Sequence, residues 1–247
     1  MKPLRVLLVG SAGRMGQAIL EASKLDSQTD IVGMCDQGDP IEPAVSHADV
    51  VIDFSHAGAI TDICRIVSAR KIALVIGTTG HSAEQLEAIE RCAKNVPLVL
   101  SSNYSVGVNA LFWLTRKAAR LLGPDFDLEI IEMHHRMKKD APSGTAKTLA
   151  EILRTERNLA EMRHGREGMT GERKKDELGI HSIRGGDAVG DHTVIFAGEG
   201  ERLELSHRAT SRATFAKGAL RAAHWVAKGR PPGLYSMEDV LELSGTK

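Results

Sequence analysis

The densest chemistry in the chain lies in one run, Glu132-Met133-His134-His135-Arg136-Met137-Lys138-Lys139-Asp140-Ala141-Pro142-Ser143-Gly144-Thr145. Two imidazoles, a guanidinium and two ammonium groups crowd together there. Histidine titrates nearest neutrality, so it can give or take a proton at physiological pH. A lysine beside other cations has its pKa lowered and becomes a plausible acid. Pro142-Ser143-Gly144-Thr145 leads into an apolar helical run and reads as a helix start. The unpaired N–H groups and hydroxyls of such a start can hold a carboxylate. A metal reading of His134 and His135 is weakened because neighbours on a strand point to opposite faces. A solvated basic loop stays open as the bland alternative on this run alone.

A second candidate is Gly10-Ser11-Ala12-Gly13-Arg14-Met15-Gly16, directly after an apolar run and opening a helical one. Glycines allow a tight turn and let a pyrophosphate approach the helix N-terminus. Asp36 ends the next apolar run, twenty residues after Gly16, where a carboxylate can accept hydrogen bonds from an adenosine ribose. The spacing is G-x-x-G-x-x-G rather than the stricter G-x-G-x-x-G, so a structural glycine turn competes with it. Gly77-Thr78-Thr79-Gly80 and Ser101-Ser102-Asn103-Tyr104-Ser105 are small and polar, and each follows an apolar run. A nicotinamide or its ribose can lie against backbone of this kind, and ordinary turns are the alternative. Asp53-Phe54-Ser55-His56 marks a further strand end, and His56 receives no catalytic role.

The elements that must position these groups follow from periodicity. Arg5–Val9, Ile31–Cys35, Val50–Phe54, Ala73–Ile76 and Leu98–Leu100 are short apolar runs of the kind buried on both faces of a sheet. Met15–Lys24, Ile60–Ala69 and Ala83–Ala93 are amphipathic, and Ser82 with Gln85 forms a capping-box start for the last. This alternation predicts an α/β class with a parallel, doubly wound sheet. Beyond Tyr104 the pattern changes: Val108–Leu122 reads as helix, Phe126–Met133 as strand and Ala146–Asn158 as helix. Residues 160–179 are charged, without period, and read as a long loop. Gly179–Arg184, His192–Ala197 and Arg202–Arg208 alternate, which predicts an antiparallel or mixed sheet covered on one face. Thr214–Lys228 is helical again.

Composition narrows the function classes. In 247 residues, 32 Lys and Arg balance 32 Asp and Glu, so nothing draws the chain generally to nucleic acid or to an anionic membrane. Cys35, Cys64 and Cys92 are scattered and odd in number, which fits reduced thiols of a cytoplasmic protein. The apolar run at the N-terminus is too short for a signal peptide or a membrane span.

In order, these motifs resemble those of the 4-hydroxy-tetrahydrodipicolinate (dihydrodipicolinate) reductase family. The resemblance extends to Asn103-Tyr104-Ser105-Val106-Gly107-Val108-Asn109, to Arg184-Gly185-Gly186-Asp187 with Gly190-Asp191-His192, to Gly200-Glu201-Arg202-Leu203, and to His207-Arg208-Ala209-Thr210-Ser211-Arg212. It is weakest over 158–178. It implies a Rossmann-like dinucleotide-binding domain from 1–105 and 214–247. An inserted α+β substrate and tetramerisation domain over 106–213 would carry an open mixed sheet. It implies an NAD(P)H-dependent oxidoreductase of the diaminopimelate route to lysine, a cytoplasmic homotetramer that needs no metal and acts on a small cyclic dicarboxylic imine. By motif position, His134 matches the principal acid/base and Lys138 the second proton donor. His135, Ser143, Gly144 and Thr145 match substrate positions. Gly10, Ser11, Ala12, Gly13, Arg14, Met15, Gly16, Asp36, Gly77, Thr78, Thr79, Ser101, Ser102, Asn103 and Tyr104 match cofactor positions. One departure is informative. Gln37 follows Asp36, where some members carry an arginine that can meet the NADPH 2′-phosphate. NADH is therefore expected to serve at least as well as NADPH. A sensor that binds NAD(H) without turnover is a rival reading, but it would need no proton donors in the His134–Thr145 loop.

Overall fold

The structure, a computed structural model, describes residues 2–243. Its strands and α-helices run β1 (Leu4–Val9), α1 (Arg14–Ser23), β2 (Thr29–Cys35), α2 (Ile41–Ala44), β3 (Val50–Asp53), α3 (Ile60–Arg70), β4 (Ala73–Ile76), α4 (Ala83–Ala93) and β5 (Pro97–Leu100). They continue α5 (Val106–Leu122), β6 (Asp127–His134), α6 (Gly144–Arg157), β7 (Glu161–His164), β8 (Glu177–Arg184), β9 (Gly190–Ala197), β10 (Arg202–Ala209), α7 (Ala213–Val226), β11 (Gly233–Tyr235) and α8 (Met237–Val240). The chain divides into two compact units: one runs to Val106 and resumes at Arg212, and the other is Gly107–Ser211.

The first unit is a parallel sheet in the order β11-β5-β4-β3-β1-β2. Successive strand residues face opposite sides, so each strand feeds two cores. Val6 and Leu8 of β1, Val50 and Ile52 of β3 and Val75 of β4 pack with Ile19 of α1 and Ala216, Ala219, Leu220 and Ala223 of α7. Leu7 and Val9, Val51, Leu74 and Ile76 pack the other way, with Ile63 and Val67 of α3 and Ile89 of α4. These strands therefore read as unbroken apolar runs. The capping box of α4 is present: Gln85 N donates to Ser82 Oγ at 3.3 Å and Ser82 N donates to Gln85 Oε1 at 2.8 Å. Cys35, Cys64 and Cys92 are free and buried.

The second unit is a mixed sheet in the order β10-β9-β6-β8-β7. β9 runs antiparallel to β10 and β6, whereas β6, β8 and β7 are mutually parallel. One face is covered: Leu128, Ile130, Leu178, Ile180, Val194 and Phe196 pack on Leu111 and Phe112 of α5 and Leu149 and Leu153 of α6. The opposite face keeps Ile183 exposed.

Two expectations need correction. Residues 160–179 are not one loop, because Glu161–His164 forms β7 along β8, which itself begins at Glu177. Ion pairs hold this segment in place of a hydrophobic stripe. Arg166 pairs with Glu129 at 2.8 Å and with Glu177, and Arg173 reaches Asp127 at 2.8 Å and the Leu128 carbonyl at 3.0 Å. The tail after α7 adds β11, parallel to β5 at the sheet edge, which sequence reading left out. Among the described residues no helix is long and apolar enough to cross a membrane.

Candidate functional site

Parallel register aligns the strand ends of the first unit. Val9 pairs with Asp53, Asp53 with Ile76 and Ile76 with Leu100, so the segments that follow leave one edge side by side. Phe54 N donates to Val9 O at 2.9 Å, Gly77 N to Asp53 O at 2.8 Å and Ser101 N to Ile76 O at 3.2 Å. The glycine turn, the Gly77–Thr79 segment and the Ser101–Tyr104 segment are thereby brought together.

The turn needs its glycines. Gly10 has φ +85°, and a Cβ on it would lie 2.5 Å from Phe54 O. A Cβ on Gly16 would lie 2.2 Å from Gly10 O, so α1 starts in direct backbone contact with the turn. Gly13 is the N-cap of α1 and supplies no side-chain cap, and the first turn holds no acidic residue. Ser11 Oγ donates to Asp36 at 2.6 Å and Ala12 N at 3.0 Å, so Asp36 braces the turn and stays below the usual carboxylate range. Thr78 is buried, and its Oγ1 has no hydrogen-bond partner among the described residues. A glycine cradle at a helix start free of acidic side chains, with a buried hydroxyl beside it, fits a nicotinamide dinucleotide.

The Tyr104 side chain turns into the core. Its ring is buried edge-on to Phe54 at 5.6 Å, and its hydroxyl donates to Ile76 O at 2.8 Å and Val99 O at 3.2 Å. A Cβ on Gly218 of α7 would sit 1.7 Å from the Tyr104 carbonyl oxygen. The side chain is committed to the core, which leaves Ser101, Ser102 and Asn103 as the exposed or half-buried part of that segment.

In the second unit, β6 alternates strictly, so Glu132 and His134 share the buried face with Leu128 and Ile130. Glu132 is fully buried and all its lone pairs are used. Oε2 accepts from His134 Nδ1 at 2.6 Å and Arg184 Nη1 at 2.9 Å; Oε1 accepts from Arg184 Nη2 at 2.8 Å and Ser143 N at 3.2 Å. Burial alone would raise its pKa, but the hydrogen bonds from Arg184 and His134 outweigh burial and bring it down to about 2. His134 goes the other way: burial lowers its pKa, and Glu132 offsets only part of that. His134 is thus a neutral imidazole at neutral pH, with Nδ1–H given to Glu132 and the Nε2 lone pair left for chemistry. A Cβ on Gly190 would lie 3.0 Å from His134 Nε2, so the bare Gly190 backbone leaves that nitrogen room.

His192 of β9 meets His134 edge-on at 5.2 Å. Burial, and then the neighbouring His134, bring its pKa down to about 4. Ser143 caps α6 by accepting from Ala146 N at 3.2 Å, and its hydroxyl is hydrogen-bonded to His192 Nε2 at 2.9 Å. Ser143, expected to face a ligand, is buried and braces the site from behind. Gly144 is exposed and Thr145 half-buried at the start of α6, whose first turn has no acidic side chain. Lys138 pairs with Asp140 at 2.9 Å, and its charge reaches both His134 and His192. The His134–Thr145 loop is pinned to the turn after β8 through His135 N to Ala188 O at 2.7 Å and Gly185 N to His134 O at 3.0 Å.

The sequence motifs include Glu132, Arg184, Gly190 and His192 without giving any of them a role. A signal for Glu132 was available, because a glutamate two residues before a histidine on an alternating strand shares its face. Arg184 needs the pairing of β6 with β8, which sets it beside His134. Among the described residues no group of three or more His, Cys, Asp or Glu is placed to hold a metal.

The chain as a whole is similar to known proteins. The family model for the dihydrodipicolinate reductase N-terminus matches residues 4–104, and that for the C-terminus matches residues 107–241. A 4-hydroxy-tetrahydrodipicolinate reductase of Akkermansia muciniphila is 55% identical over 98% of this chain and 99% of its own. One of Aquifex aeolicus is 45% identical over 97% and 99%. A dipicolinate-bound dihydrodipicolinate reductase from Paenisporosarcina sp. TG-14 superposes with a TM-score of 0.81 at 25% identity, covering 95% of this chain and 97% of that one. The glycine turn lies in the stretch matched by the N-terminal family model and the His134–Thr145 loop in that matched by the C-terminal one: the chain belongs to the dihydrodipicolinate reductase family.

Proposed function

We propose that this chain reduces 4-hydroxy-tetrahydrodipicolinate to tetrahydrodipicolinate with loss of water, using NADH or NADPH and no metal. The observation that carries the reading is His134: neutral, fixed through Nδ1, with Nε2 beside Gly190 and the Lys138 charge nearby. The substrate has a ring imine and a hydroxyl at C4. Lys138 protonates the departing hydroxyl while His134 Nε2 takes a proton from the carbon between C4 and the imine. Water leaves and a conjugated ring remains. A dinucleotide held by the glycine turn would supply the hydride that C4 needs. His134 then returns its proton to the neighbouring carbon, restoring the imine. The balance is one hydride and one proton consumed and one water released, with Lys138 recharged from solvent. General acid–base catalysis requires each proton donor within hydrogen-bond reach of its reacting atom.

One substrate carboxylate lies at the start of α6, where the Gly144 and Thr145 amides, the helix dipole and His135 favour negative charge. The glycine turn from Gly10 to Gly16 would hold the pyrophosphate, and Thr78, Thr79 and the Ser101–Asn103 backbone would hold the nicotinamide half. Asp36 repels a 2′-phosphate and no arginine follows it, so NADH serves at least as well as NADPH. The uncovered sheet face that carries Ile183 supports assembly into a homotetramer, and the composition suits the cytoplasm. A coupled assay tests this reading. Dihydrodipicolinate synthase makes the substrate from pyruvate and aspartate semialdehyde, and cofactor absorbance is followed. Protein-dependent oxidation is expected, and kcat/KM for NADPH should not exceed that for NADH tenfold. Cofactor binding without oxidation would favour the sensor.

A further inference from the structure

The reaction needs His134 in one tautomer, and a neutral imidazole can carry its proton on either nitrogen. Nothing on His134 itself decides which. Four contacts around it do. Glu132, on the same strand and side, accepts Nδ1–H at 2.6 Å. Glu132 cannot turn away or become a donor, because Arg184 holds both its oxygens at 2.8 and 2.9 Å and Ser143 N adds a bond at 3.2 Å. Arg184 also donates to Asp140 O at 2.7 Å, so the guanidinium that locks the carboxylate also ties down the loop bearing Lys138. We infer that Glu132 is the positioning residue for His134, and that the Arg184 fork keeps Glu132 an ionised acceptor so that Nε2 always presents its lone pair to substrate. This rests on the assignment of His134 as the proton-transfer group.

The groups that face His134 are Glu132 on its own strand, Arg184 from β8, His192 from β9, and Lys138, paired to Asp140, from the loop. Arg184 and Lys138 oppose a second proton on the ring and Glu132 favours it. A lone carboxylate would turn His134 into an imidazolium, which cannot take the substrate proton. The carboxylate–guanidinium pair orients the ring while keeping it basic.

The test is the tautomer. In wild-type protein carrying ¹⁵N-histidine, His134 should show Nδ1–H and an unprotonated Nε2 at neutral pH. In Glu132→Gln the amide nitrogen takes the place of Oε2, where it faces Nδ1, and the ring should switch to Nε2–H. Loss of a correctly oriented histidine costs roughly 10²–10⁴-fold in kcat. That loss is expected here with unchanged NADH affinity and a displaced acidic limb in the pH profile of kcat/KM. On a His134→Ala background, Glu132→Gln should cost almost nothing further. A wild-type Nε2–H tautomer overturns the proposal, and so does Glu132→Gln with kcat within threefold of wild type. If Glu132→Gln does not fold, the wild-type spectrum still decides. If His134→Ala keeps full activity while the tautomer is as stated, the role of His134 has failed and the positioning by Glu132 has not.

Discussion

Acid should weaken the second unit through His192, and the size of the effect follows from its surroundings. His192 is buried, its Nε2 is hydrogen-bonded to Ser143 Oγ, and its Nδ1 has no partner among the described residues. A second proton there would be stranded beside His134 and the Lys138 charge. The unfolded chain has no such penalty, so it binds the proton near the ordinary value of 6.5 while the folded chain waits until about 4. Because the folded pKa of this histidine is depressed, stability is flat above 6.5, falls as pH drops toward 4, and levels off below. At 1.36 kcal/mol for each tenfold change in proton affinity, the full loss is roughly 3 kcal/mol. His134 and His207, also lowered by burial, add to the same slope, so the measurement must be a difference. Glu132 contributes elsewhere. Its depressed pKa supplies stability above 4.5 that is lost only as pH falls toward 2. The assay is urea unfolding of wild type and His192→Gln across the window from 6.5 to about 4. Glutamine still accepts from Ser143 but does not titrate. Wild type should lose roughly 3 kcal/mol more than the variant over that window. Parallel profiles would refute the argument, because they would mean that His192 takes up its proton in the folded protein as easily as in the unfolded one.

Three more outcomes follow from named contacts. Gly190→Ala places a methyl 3.0 Å from His134 Nε2 on a backbone that alanine tolerates. It should therefore lower kcat at least tenfold with an unchanged melting temperature, checked by the coupled assay and calorimetry. Gly16→Ala drives a Cβ to within 2.2 Å of Gly10 O, so NADH affinity by fluorescence titration should fall at least tenfold, with a stability loss of about 1–3 kcal/mol. Tyr104→Phe removes a buried hydroxyl that serves the Ile76 and Val99 carbonyls. It should cost about 1–2 kcal/mol in urea unfolding and leave KM for NADH unchanged, which separates a core role from a cofactor contact.

The parts of the fold legible in the sequence are those whose cause is local. Val6–Val9, Val50–Ile52 and Leu74–Ile76 read as strands because they are apolar on both faces, and that follows from helices lying on both sides of the sheet. Ser82 and Gln85 announce α4 because their two bonds close within one turn. The elements that were missed depend on distant partners. Glu161-Met162-Arg163-His164 has no apolar stripe, and it becomes β7 because β8 offers an edge and Lys174 and Glu177 meet its charges. Gly233–Tyr235 has three residues behind two prolines, and only the free edge of β5 makes it a strand. The His134–Thr145 loop was legible because its cations are consecutive. Its support was not, because Arg184 lies fifty residues downstream of His134 and reaches it only through the β6–β8 register.

Glu132 occupies a position that the strand pattern reserves for a valine or leucine. Replacing a buried ion pair by apolar residues of similar volume is often neutral or stabilising, whereas removing one member strands a charge and costs about 3–5 kcal/mol. Stability alone therefore gives no reason to place Glu132 and Arg184 beneath His134. The arrangement accounts for itself only if something above it needs a fixed acceptor. A leucine there would leave His134 free to exchange tautomers, and the molecules carrying Nε2–H could not take the substrate proton. Local rules of sequence and structure are broken at sites of function and kept elsewhere. On that criterion the charge buried on the face that Leu128 and Ile130 line marks the end of β6 where the proposed chemistry is placed as plainly as the histidine it holds.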